Sequence, residues 1–229
     1  MQRLGFMLGS AALVGLATWL APTAAMAVSL GSIDTFDNSS EGWAVGSNGV
    51  QPSFENGTSF DGQPGFLRHF SDGGGPNGRW IMWSEESDWT GDYLAAGVEG
   101  ISLWADGRTG DDIVFWLGFD GPGGWFFTPG QTIVTDNDWE KFSFDLDPSS
   151  LIYAANSGGT QVAEDTLANV NRFEIFAGNG GVSFAGRGDL LRSAQSNNVI
   201  WFDNIAAVPE PTTAALLLLT APLALLRRR

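Results

Sequence analysis

Apolar and polar residues alternate at every second position through much of the middle of the chain. Ile101, Leu103 and Ala105 point one way, and Ser102 and Trp104 the other. Ile113, Phe115, Leu117 and Phe119 share a face that leaves Val114 and Trp116 opposite. Phe142, Phe144 and Leu146 are separated by Ser143 and Asp145. Phe173 and Ile175 alternate with Arg172 and Glu174, and Val199 to Ile205 carries mixed faces. Successive side chains of an extended strand point to opposite faces, so period two marks strands with one buried side. Between these runs lie Asp61-Gly62, Asn77-Gly78, Asp106-Gly107 and Asp120-Gly121-Pro122-Gly123-Gly124, residue pairs whose backbones suit turns. A longer glycine loop spans 72–78, and Trp125 is placed on the loop after Gly124. Only Val162 to Val170 reads as helical, for a turn or two. Short strands divided by turns, with no long helix, predict an all-β, jelly-roll β-sandwich of about eight or more antiparallel strands.

The two ends follow different rules. Met1 to Ala27 has Arg3 before an apolar stretch from Leu4 to Leu20, a helix-breaking Pro22, and Ala25-Met26-Ala27. A positive start, a short apolar helix and small residues at Ala25 and Ala27 form a secretory signal with its cleavage site. At the other end Pro209-Glu210-Pro211 cannot be helical throughout. An apolar run follows, and the chain closes on Arg227, Arg228 and Arg229. The fifteen residues Thr212 to Leu226 would reach only about 22 Å as a helix, against a bilayer core of roughly 30 Å. Terminal arginines would stay on the cytoplasmic side.

The order Pro-Glu-Pro, short apolar helix, basic cluster resembles the PEP-CTERM sorting signal of Gram-negative bacterial surface proteins. That resemblance implies recognition of Pro209, Glu210 and Pro211 by an exosortase-type membrane protease, with Arg227 to Arg229 as the stop-transfer cluster. It also implies transit through the Sec machinery, transient anchoring in the inner membrane, and release to the cell surface or extracellular matrix. The expected division is a removable signal helix at 1–27, a β-sandwich domain at 28–208 and a sorting tail with a hydrophobic helix at 209–229.

Charge narrows what the body can bind. The chain has 11 basic and 26 acidic residues. Leaving out Arg3, the three terminal arginines and Glu210 gives a body with seven bases and 25 acids, a net charge near −18. Such a surface repels nucleic acid and anionic lipid. With no cysteine the fold rests on its core, and a body of this length suits one domain.

Catalytic signatures are sparse. His69 is the single histidine and sits within Phe66-Leu67-Arg68-His69-Phe70, where alternation places it among core residues. Zinc clusters need more His or Cys than this. Gly181-Val182-Ser183-Phe184-Ala185 lacks the last glycine of a nucleophile elbow. Asp136-Asn137-Asp138-Trp139-Glu140 has Lys141 where a calcium loop needs glycine, and reads as a turn into the next strand. Glu85 and Glu86 are adjacent, so on a strand their carboxylates would diverge.

Tryptophan is the remaining candidate chemistry. With Leu103 and Phe115 facing the core, Trp104 and Trp116 face outward, and together with Trp125 they would make a platform on which sugar rings stack. Asp34-Thr35-Phe36-Asp37 with Glu41-Gly42-Trp43, and Trp201-Phe202-Asp203-Asn204-Ile205, resemble the first and last strands of carbohydrate-binding-module-like jelly rolls. The body also resembles laminin B-type modules of exported bacterial proteins. These resemblances imply neighbouring first and last strands, a structural calcium held by Asp37 and Asp203, and binding rather than catalysis. The expectation is an exported, non-enzymatic protein that binds glycan or matrix polysaccharide. The alternatives are a structural matrix component without a small ligand and a weak glycoside hydrolase.

Overall fold

The structure is a computed structural model that describes residues 27–45, 51–71, 80–178 and 198–209. Within them are twelve strands: β1 (Ile33–Asp34), β2 (Ser53–Thr58), β3 (Pro64–Phe70), β4 (Ile81–Ser84), β5 (Gly100–Thr109), β6 (Ile113–Gly121), β7 (Gly124–Phe127), β8 (Gln131–Ile133), β9 (Glu140–Asp145), β10 (Ile152–Tyr153), β11 (Arg172–Gly178) and β12 (Val199–Val208). Two short α-helices, α1 (Tyr93–Ala96) and α2 (Ala163–Leu167), and two single-turn 3-10 helices, Ser87–Trp89 and Pro148–Ser150, accompany them. The α2 helix falls inside the stretch whose pattern reads as helical. The signal segment with Ala25, the glycine loop 72–78, the Gly181–Ala185 stretch, and Glu210, Pro211 and the terminal arginines lie outside the described residues.

The strands form two antiparallel sheets of six. The front sheet runs β2-β3-β12-β5-β9, with β1 also paired to β12; the back sheet runs β10-β7-β6-β11-β4, with β8 also paired to β6. The sheets face each other as a jelly-roll sandwich. Ile33 and Asp34 pair with Ala206 and Ile205, so the first and last strands are neighbours.

Alternation decides what fills the space between the sheets. Ile101, Leu103 and Ala105 from β5 meet Phe115, Leu117 and Phe119 from β6, all of them fully buried. Phe115 packs edge-on against Phe142 and Phe144, with ring centroids at 4.9 and 5.1 Å, and sits 6.4 Å from Phe202. Aromatic pairs prefer such offset and edge arrangements, which add to the area they bury.

Trp125 is not on a loop. Gly121 pairs with Gly124, so Pro122 and Gly123 form a two-residue connection and β7 starts at once. Gly124 holds φ at +103°, and a Cβ there would meet the Gly158 carbonyl at 2.5 Å, so only glycine fits. The run of turn residues therefore marks a tight hairpin rather than a wide loop.

His69 lies in the core, 1% exposed and 4.5 Å from the Trp80 ring. Burial holds its imidazole neutral, with the pKa pushed down from 6.5 to about 3. The unfolded chain takes up this proton more readily than the folded one. Stability from this site is therefore full above pH 6.5 and is lost as pH falls toward 3. His69→Leu should move the acid limb of a melting-temperature profile to lower pH. An unchanged acid limb would show that His69 does not control it.

Candidate functional site

The outward positions of β5 are Ser102, Trp104, Asp106 and Arg108. Register places Trp201 of β12 opposite Asp106, and Asp203 opposite Trp104. On its other side Trp201 pairs with Arg68 of β3, whose outward face also carries Phe66. Trp139 leads into β9, and the turn between β2 and β3 swings Phe60 over the sheet. Five rings thus meet on the outer face of the front sheet. Phe60 stacks on Trp104 at 4.1 Å, Phe66 stacks on Trp201 at 4.2 Å, and Trp139 touches Phe60, Phe66 and Trp201 at 6.4, 6.1 and 6.4 Å. Phe60, Trp104, Trp139 and Trp201 are only half-buried. They lie outside the core and form an apolar patch at the surface.

A charged pair is set into this face. Asp106 is fully buried and forms an ion pair with Arg108, whose guanidinium lies 3.5 Å over the Trp201 ring. Phe66 already covers one side of that ring, so Arg108 must cover the other. A ligand at Trp201 would meet a guanidinium edge rather than a bare indole. Burial raises the Asp106 pKa; Arg108 opposes this, and Asp136 and Asp138 add to it. Arg108 Nε and Trp201 Nε1 are buried donors with no hydrogen-bond partner among the described residues. Stacked, half-exposed rings suit a sugar, whose C–H faces are apolar and whose rim is hydroxyl.

One end of this face is acidic. Asp203 is 1% exposed and sits at a bulge where β12 slips against β5 between Asp203 and Ala206. Asn204 takes φ +48° there and donates its N–H to Asp203 Oδ1 at 2.7 Å. Bulges re-aim side chains and are common beside functional sites. Burial pushes the Asp203 pKa up to about 6; Ser59 and Asn204 lower it, while Asp61 and Asp37 raise it. The front sheet thus brings Asp37 and Asp203 into the same neighbourhood, with Asp61 and Ser59 added. All these donors are oxygens, which is what calcium prefers. Each carboxylate is also tied locally: Asp37 accepts from Thr35 Oγ1 at 2.9 Å, and Asp61 from Ser59 Oγ at 2.6 Å. Among the described residues no three acidic, histidine or cysteine side chains stand close enough to share an ion. The chemistry of the donors matches, but their spacing is not that of a finished cage.

Trp104 does not share a platform with Trp116 and Trp125. Those two point outward from the back sheet, 7% and 5% exposed, in a second cluster with Ile81, Phe127 and Phe176. The reason is topological: β5 and β6 are consecutive but belong to opposite sheets, so outward on one is the far side from outward on the other. The residues that do accompany Trp104 are Phe60, Phe66, Trp139 and Trp201. Alternation marks Trp201 as facing away from Phe202, but nothing local signals that Phe60 and Trp139, both outside strands, fold onto the same face.

Of the sorting motif only Pro209 lies among the described residues, and it is half-buried. Among those residues no helix is long and apolar enough to cross a membrane. No protein-family model matches the chain, and a search of curated proteins returns no match. Solved structures are similar to it. An exo-β-agarase aligns at TM-score 0.51 and 11% identity over 78% of this chain, which spans about a quarter (25%) of that enzyme's length. The CBM22-1 xylan-binding domain of a Paenibacillus barcinonensis protein aligns at TM-score 0.44 and 14% identity, covering 80% of this chain and 97% of that one. A CBM28 module specific for non-crystalline cellulose aligns at TM-score 0.44 and 14% identity, covering 73% and 87%. The likeness to the agarase is one of fold.

Proposed function

We propose that this protein is an exported, non-enzymatic β-sandwich that binds polysaccharide on the outer face of its front sheet. The observation that carries this reading is the group of half-buried rings, Phe60, Trp104, Trp139 and Trp201, gathered outside the core around the Asp106–Arg108 pair. Such rings are not needed to fill the sandwich, and they present apolar surface to solvent. The strong negative charge of the body turns away nucleic acid and leaves neutral glycans as the favoured partner.

The test is retention on a panel of immobilised neutral and acidic polysaccharides. Trp104→Ala combined with Trp139→Ala removes two stacking surfaces, worth about 1–3 kcal/mol together, and should weaken retention roughly ten- to a hundredfold. Trp116→Ala, on the back sheet, should leave it unchanged. Equal retention by the front-sheet double variant, or no retention by the parent on any polysaccharide, would refute the reading. A structural component without a ligand would give the second result, and a glycosidase would release sugar during the assay.

Export and sorting are part of the same proposal and rest on the two terminal motifs. Secreted material should begin at Val28 and lack the segment after the Pro209-Glu210-Pro211 motif when its intact mass is measured. Full-length protein in the cytosol would overturn this. We also propose that the acidic corner takes a structural calcium, with Asp37 and Asp203 as ligands, because Asp203 is buried among acids and no cationic side chain among the described residues offsets them. Adding calcium to chelated protein should raise the melting temperature, and an unmoved midpoint would remove the ion from the account.

A further inference from the structure

The rings on the outer face of the front sheet are not all bare. Phe60 lies flat on Trp104, with centroids 4.1 Å apart and planes 10° from parallel. A sugar ring stacking on an indole needs that same place, a flat apolar face at contact distance. The side of Trp104 that Phe60 covers is therefore closed to a ligand while the two rings touch. Phe60 itself is only half-buried.

The two stacked pairs are held differently. Phe66, which covers Trp201, belongs to β3, pairs with Glu55 of β2 and is 4% exposed. It is packed against Gly57, where a Cβ would stand 2.6 Å from its ring. With Arg108 on the other side, Trp201 stays covered. Phe60 sits in the turn between β2 and β3, outside any strand. That turn closes its hydrogen bonds on itself. Ser59 N–H donates to the Gln63 carbonyl at 3.0 Å and Gly62 N–H to the Ser59 carbonyl at 3.2 Å. Ser59 Oγ and Gln63 N–H donate to Asp61 Oδ1 at 2.6 and 2.8 Å. None of these bonds runs to β5. Asp61, Gly62 and Gln63 are exposed, and a Cβ built on Gly62 would meet nothing within 4 Å. A stacked aromatic pair is a weak attachment, and side chains at the surface change rotamer within nanoseconds.

We propose that Phe60 is a displaceable plug, which occupies the sugar-stacking face of Trp104 until a polysaccharide residue takes its place. This rests on the polysaccharide reading given above and names the residue that regulates its site. Displacement breaks the ring stack and no covalent bond. Trp139, in edge contact with Phe60 at 6.4 Å, remains as a wall beside Trp104. Lys141 is exposed and paired in register with Trp104, so its ammonium can donate to sugar hydroxyls. The plug sets a threshold, because a sugar must stack on Trp104 better than a phenyl ring does.

The test compares retention on immobilised xylan, amorphous cellulose, agarose and mixed-linked β-glucan. Phe60→Ala leaves Trp104, Trp139 and Lys141 in place, and retention on the polysaccharide that holds the parent should rise about two- to tenfold. Trp104→Ala should lose retention, and Phe60→Ala with Trp104→Ala should gain nothing over Trp104→Ala alone. Phe60→Leu keeps bulk without a flat ring and should also bind more tightly; it decides if the alanine variant fails to fold. With para-fluorophenylalanine at position 60, the fluorine resonance should move on addition of that polysaccharide toward its position in Trp104→Ala, where no indole faces the ring. Weaker retention in Phe60→Ala and Phe60→Leu would make Phe60 part of the platform and overturn the plug while the polysaccharide reading stands. Unchanged retention, or a fluorine resonance that the polysaccharide does not move, would overturn it equally. No retention of parent or variants on any of the four would overturn the plug together with that reading.

Discussion

Phe115→Ala is expected to cost about 3–5 kcal/mol of stability and to lower the melting midpoint by on the order of 10 °C. Phe115 is fully buried at the centre of the sandwich, with rings from β9 and β12 packed on it. Those rings belong to the front sheet and Phe115 to the back one, so the cavity left by the substitution would open in the layer that joins them. Neighbours held by strand hydrogen bonds cannot collapse far into the space, which places the cost near the upper end. Phe115→Leu keeps most of the volume and should cost markedly less. Thermal melts of the two variants check the ordering. A loss below about 1 kcal/mol for the alanine variant would mean that the sheets do not pack through this ring.

Asp34→Ala is the second large effect. It removes the acceptor shared by two buried indole N–H groups, and each stranded donor costs about 1–3 kcal/mol. Relief of a buried carboxylate offsets part of this, because burial already raises the Asp34 pKa. The net loss should be about 2–5 kcal/mol. It would be felt beyond the site, since Trp43 and Trp89 both pack on Phe173, at 5.3 and 5.2 Å. Asp34→Asn keeps an accepting oxygen and should cost far less. Equal losses for alanine and asparagine, read from denaturant melts, would show that charge rather than acceptance matters at Asp34.

The strands that alternate cleanly were legible without coordinates. Those around Ile101–Ala105, Ile113–Phe119 and Phe173–Ile175 fall within β5, β6 and β11, and Phe142–Leu146 lies in β9 but for its last residue, with the faces that alternation assigns. The burial of His69 and the short helix after Val162 were legible for the same reason. The strands Ser53–Thr58 and Gly124–Phe127 were not. The first has little apolar pattern, and the second is apolar at three of four positions and buried on both faces, so period two leaves no trace in it. The candidate site was half visible: Trp104 was seen to face outward, while its partners come from strands and turns far apart in sequence.

The sequence by itself determined which residues along a strand face the same way, because the pleat fixes that within a few positions. It also set the acidic balance and the two terminal motifs. Only the tertiary structure decided which strands share a sheet, and so which outward tryptophans are neighbours. Trp104 and Trp116 are twelve residues apart and alike in pattern, yet the connection from β5 to β6 passes from one sheet to the other and leaves them on opposite sides of the molecule. The meeting of Asp34 with the Trp43 and Trp89 indoles was likewise decided by packing, since strand periodicity cannot specify hydrogen bonds to residues that lie outside the strand.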